Sequence, residues 1–167
     1  MTELTELTEL TELIELLTCK ELDQAAVRDI ARAVHAAPDE PALSWAADAA
    51  LARAVALVRE LGDYLAVSDQ AATLHAQIGE LFADPLPPLQ PGATMPTYFG
   101  WLERELAKRG QRHGGYAPLL LDPYVDDQIH VAVVYRHDAE RIMELAAALS
   151  GTVDIAIARP AAFYPQS

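Results

Sequence analysis

The chain has a single cysteine, Cys19, in 167 residues. A lone thiol makes no internal disulfide, so packing must hold the fold, and a reducing compartment suits it. No cationic, apolar leader precedes a small-residue cleavage site, and no run approaches the roughly 18 apolar residues of a membrane span. A cytoplasmic protein with no membrane partner is expected. Bases are scarce: 12 Lys and Arg stand against 25 Asp and Glu, a formal net charge of −13. Such a surface repels phosphate backbones, which argues against nucleic acid as a direct partner. The imbalance is greatest at the start, since residues 1–40 hold 10 acids and 3 bases whereas residues 98–167 hold 9 and 7.

Motifs that carry chemistry are missing as well. Neither GxxxxGK[ST] nor GxGxxG occurs, so no phosphate-cradling loop is encoded. GxSxG and SxxK are absent, as are HExxH, CxxC and the EF-hand spacing, and no cofactor is expected. Cys19 has no neighbours that would lower its pKa and reads as a small, partly buried residue.

What is present begins with a repeat, four copies of Thr-Glu-Leu from Thr2 to Leu13. A three-residue step turns an α-helix by about 300°, so the leucine stripe drifts by about 60° per copy. Leu10, Leu13, Ile14 and Leu17 still share one narrow face, whereas Leu4 and Leu7 wind away from it. The spacing predicts a helix whose second half alone meets the core, with a frayed extension or a weak homodimer contact at its start.

Thr18 and Glu21 have capping-box spacing and predict a second helix along Leu22, Ala26, Ile30 and Val34. Asp39 and Pro41 predict a third, running to Gly62. Tyr64–Val67 is short and partly β-branched and predicts a strand, followed by a helix from Gln70 to Ala83. The proline-rich stretch 84–97 predicts a long loop. Thr97 opens a helix with Phe99, Leu102 and Leu106 inward, ended by Gly110. YAPLLLD and QIHVAVVYR read as a hairpin, with Pro118 placing the first at a sheet edge. Asp138 caps a helix to Ser150 and Gly151, and TVDIAIA alternates as a strand. Trp45 and Trp101 are expected to bury their rings beside helices.

The length is that of one domain, 1–167, with a helical segment over 1–62 and an α+β segment over 63–167. The fold class expected is α+β: three N-terminal helices, then a small, mostly antiparallel sheet in split βαβ, ferredoxin-like order with helices on one face.

The densest polar group is Asp122, Asp126, Asp127 and His130, around the hairpin turn. Oxygen and imidazole donors of this kind could hold a divalent metal, although aspartates that shape a turn give the same pattern. Alternation turns His130 away from Ile129, Val131 and Val133. These four residues are the candidate partner or ligand surface. Arg104, Lys108, Arg109, Arg112 and His113 form the one basic run, placed where cations favour a helix C-terminus. His35 and His75 lie in alanine-rich helices and read as structural.

The blocks FGWLERELAKRG, LLLDPYVDDQIHVAVV and HDAERIMELAAAL resemble an uncharacterised bacterial family with a Trp-Leu-Glu helix before an aspartate-turned hairpin. The likeness covers residues 98–167 and implies a bacterial cytoplasmic protein. It implies no catalytic residue. The leading reading is a non-enzymatic protein-binding module of immunity, antitoxin or regulatory type that takes a basic protein partner. The alternative is a metal-assisted hydrolase built on the Asp/His hairpin.

Overall fold

The computed structural model describes residues 3–110, 112, 114–123 and 125–160. Helix α1 spans Glu3–Leu17. The Thr8 and Thr11 hydroxyls donate to the carbonyls of Leu4 and Leu7, 2.8 and 2.6 Å away, so the repeat's threonines satisfy themselves within the helix. The expected drift is observed. Leu13 and Ile14 are fully buried, whereas Leu4 is 76% exposed.

The helix ends in a pair of backbone bonds, Cys19 N–H to Leu16 O and Lys20 N–H to Glu15 O, with Cys19 and Lys20 at φ 54° and 58°. This is a Schellman turn, and Cys19 occupies the left-handed place that glycine usually fills. It displaces the expected capping box. The Thr18 hydroxyl donates back to Ile14 O at 2.9 Å, and α2 (Gln24–Ala36) is capped by Asp23, which accepts from Ala26 N–H.

The third helix is shorter than expected. Proline-bearing 3₁₀ turns occupy Ala37–Asp39 and Pro41–Leu43, and α3 (Ala49–Glu60) starts only where Asp48 accepts from Leu51 N–H. Trp45 lies between them and is 59% exposed, contrary to the burial expected of it. Trp101 is half-buried and rests against His75.

Strand β1 (Leu65–Ser68) and α4 (Ala71–Gly79) come next, then a stretch without helix or strand, then α5 (Met95–Ala107). The α5 cap is Thr94, not Thr97: its hydroxyl accepts from Thr97 N–H. Strands β2 (Tyr116–Asp122) and β3 (Ile129–Tyr135) form the expected hairpin. Helix α6 (Ala139–Ala148) and a three-residue β4 (Ala156–Ala158) complete the described chain.

The protein is α+β, with six α-helices and a four-stranded antiparallel sheet among the described residues, ordered β1-β3-β2-β4. Strands β1 and β2 flank β3, as a split βαβ unit requires. A ferredoxin-like order would then set β4 beside β1, but β4 pairs with β2. Pro118 is therefore not on an edge strand. Yet β4 covers only Leu120–Asp122, so at Pro118 the ladder runs on the β3 side alone and a residue without N–H is tolerated.

Helices cover both faces of the sheet, not one. Leu65, Leu119, Leu121, Ala132 and Val134 pack with residues of α1, α2, α3 and α6. Ala66, Leu120, Val131 and Val133 pack with residues of α4 and α5. The N-terminal helical segment and the sheet share the first of these cores, so α1–α3 are one wall of the domain. No helix among the described residues is long and apolar enough to cross a membrane.

Candidate functional site

The four hairpin residues do not converge. Asp126 and Asp127 are exposed, and Asp126 Oδ1 accepts from Gln128 N–H at 3.0 Å, an Asx turn that shapes the loop. Asp122 ends β2, half-buried. His130 is only 4% exposed and lies in the sheet between Val67 and Leu121, on the face toward the N-terminal helices. Its Nε2 is 3.8 Å from Asp126 Oδ2, and its buried Nδ1 has no hydrogen-bond partner. Among the described residues no three His, Cys, Asp or Glu side chains come together as metal ligands would.

An unsatisfied buried nitrogen costs roughly 1–3 kcal/mol. His130→Leu, which removes the orphan at similar volume, should leave stability unchanged or raise it by up to about that amount in denaturant unfolding. A loss larger than about 1 kcal/mol would show that the imidazole has a partner the geometry lacks.

The basic run is tied into structure. Lys108 pairs with Glu105 at 3.0 Å. Arg109 donates to the carbonyls of Asp84 and Pro85, and its guanidinium lies 5.1 Å from the centre of the Phe82 ring, so it clamps the start of the proline-rich stretch. Arg104 and Arg112 are exposed, and His113 lies outside the described residues. His75 is bonded on both nitrogens, to Tyr98 Oη at 3.3 Å and Pro87 O at 2.9 Å, and ties the same stretch to α5. His35 stands 3.2 Å from Glu3.

A different site emerges where α1 ends. The Schellman turn lays Cys19 against β3, its thiol donating to Val133 O at 3.4 Å. Around it opens a cavity of about 150 Å³ with Glu21, Asp63, Tyr64, Phe82 and Tyr116 in its walls. Burial pushes the thiol up to about 11, with the charges of Glu21 and Asp138 adding to the effect. Burial likewise raises Tyr64 and Tyr116, and Glu21 contributes to both. The inner wall therefore carries neutral donors at physiological pH, while the charges are carboxylates on exposed residues.

A thiol raised from 9.0 to about 11 holds about 100-fold less thiolate near neutral pH. Because a thiolate of raised pKa is the stronger nucleophile and recovers about half of that loss, Cys19 should react with a disulfide reagent at least about tenfold more slowly in the folded protein than in urea; equal rates would contradict the burial described. A nucleophilic role is thus opposed by its surroundings.

A second cavity, about 360 Å³, lies between the proline-rich stretch and α5, walled by Leu89, Tyr98 and Trp101 with Arg104 at its edge. Arg104 is the only charged side chain among the described residues that line it.

Sequence reasoning missed the Cys19 cavity, because Tyr64, Phe82 and Tyr116 come from three separate elements. The one local signal was Thr-Cys-Lys-Glu directly after a leucine-rich helix, a helix end without glycine. Compared with protein-family models, with curated proteins and with solved structures, the chain gives no match.

Proposed function

We propose that the chain is a non-enzymatic binding protein whose partner is a basic protein. The observation that carries this reading is the charge: 25 acids against 12 bases, with 10 of the acids in the first 40 residues. Several acids are absorbed internally, Glu12 by Arg141 at 2.6 Å and Glu40 by Arg59 at 2.9 Å among them. Glu21 and Asp63 are in no ion pair among the described residues. An unneutralised acidic surface speeds association with a cationic partner and repels anionic ones.

The metal-assisted reading finds no support in the hairpin geometry, where Asp126 builds a turn and His130 is buried in the sheet. The reading of a bacterial immunity, antitoxin or regulatory module is a narrower form of the same proposal. Tagged protein incubated with extract of its source cells at low salt should retain a basic protein, released as salt screens the attraction. Retention of nothing above background at low salt would contradict the proposal.

A further inference from the structure

Resting on that reading, we infer that the cavity beside Cys19 is the receptacle for an arginine side chain presented by the basic partner. Its volume, about 150 Å³, is that of a cavity able to take a benzene-sized group, which leaves room for a planar guanidinium. The walls include the rings of Tyr64, Phe82 and Tyr116, with Phe82 and Tyr116 meeting edge to face at 5.4 Å. Aromatic faces attract cations, and a guanidinium more readily than a strongly hydrated ammonium, because it stacks.

The only charged side chains among the described residues lining the cavity are Glu21 and Asp63. No lysine, arginine or histidine is among the described residues lining the cavity, and Glu21 and Asp63 are in no ion pair among the described residues, so both carboxylates remain as acceptors. Two carboxylates suit the fork of donors that a guanidinium offers, which a single ammonium cannot match. The inner Cys19 thiol is already engaged with Val133 O and offers a neutral floor.

Arg109, which lines a neighbouring cavity together with Phe82, places its guanidinium 5.1 Å from the Phe82 ring centre. Leu81, 45% exposed, stands at the cavity as an apolar lip. An exposed apolar residue beside a charged receptacle suits a protein surface closing over it, with the side chain inserted and its backbone outside. The second cavity has the opposite character, since Arg104 is the only charged group in its wall among the described residues.

The test has two arms. In the first, the full chain is titrated with ethylguanidinium, propylammonium and propionate while amide chemical shifts are followed. Saturable shifts should centre on Cys19, Glu21, Asp63, Tyr64 and Tyr116 with ethylguanidinium. They should be weaker with propylammonium, absent with propionate, and about tenfold weaker in affinity for Glu21→Gln plus Asp63→Asn. Both substituted residues are exposed, so the double variant should fold as wild type, which its unshifted core amides would verify. Shifts that never saturate, that propionate reproduces, or that the double variant leaves unchanged would overturn the assignment.

In the second arm, the captured partner is eluted with ethylguanidinium or with sodium chloride at matched ionic strength. Ethylguanidinium should release it at the lower concentration. Equal release by both salts would overturn the arginine receptacle while leaving the acidic-binder reading intact. Failure to capture any partner would remove that reading and the arginine's source together, with the first arm still reporting what the cavity binds.

Discussion

Leu13→Ala should lower the unfolding free energy by about 2–5 kcal/mol, while Leu4→Ala changes it by less than about 0.5 kcal/mol. The two leucines stand at the same place in separate copies of one tripeptide, yet Leu13 is fully buried and Leu4 is 76% exposed. What separates them is phase. A period of three against a helical 3.6 carries the side chain from the solvent side onto the face shared by α2, α3 and α6. Urea unfolding of the two variants beside wild type reads the difference. Comparable losses would mean that the start of α1 is packed against something, in the same chain or in a second copy.

Gly115→Ala should be at least as damaging, about 3 kcal/mol or more. Gly115 sits at φ +94°, where an L side chain is strained, and an added Cβ would run into the end of α5, with Ala107 C at 2.9 Å. Its carbonyl accepts from Arg136 N–H at 2.9 Å and its N–H donates to Gly110 O, so the backbone has little freedom to retreat. Gly114→Ala offers the control: φ is +70°, but nothing lies within 4 Å of the new Cβ, so the cost should be that of backbone strain alone, about 1 kcal/mol. Similar losses at both positions would deny the close approach of the β2 entry to α5.

The elements that could be read from the sequence were those whose pattern is local. The hairpin was legible because YAPLLLD and QIHVAVVYR are apolar runs separated by a polar turn, and the structure places the first strand on those bounds and the second one residue inside them at each end, Ile129–Tyr135. The second half of the repeat was legible because helical phase depends only on spacing. The start of α2 was misplaced because its cap is Asp23, not the Thr18 of the expected capping box. Thr18 and Asp23 both precede α2, and Thr18 is drawn back to Ile14 O because α1 closes in a Schellman turn that no glycine announces.

The covering of both sheet faces had a signal that alternation obscured. Leu119-Leu120-Leu121 is continuous, not alternating, and a strand apolar at every position is one buried on both sides. Leu119 and Leu121 indeed face one helical layer and Leu120 the other. The strand order was not legible, since β4 beside β2 or beside β1 leaves each local pattern identical. The cavity was hidden for the same reason: its walls come from the end of α1, the approach to β1, the segment after α4 and the start of β2. The Asp/His hairpin drew attention because its residues are close in sequence, and that closeness reflects turn chemistry.

The most direct test sets those two acidic sites against each other. The cavity variant, Glu21→Gln plus Asp63→Asn, and the hairpin variant, Asp126→Asn plus Asp127→Asn, remove the same number of charges. Both are compared with wild type in one low-salt capture from source-cell extract, with the retained basic protein quantified. Binding through the cavity predicts retention by wild type and the hairpin variant, with about tenfold less on the cavity variant. Loss on the hairpin variant with full retention on the cavity variant, or capture indifferent to both, would contradict it.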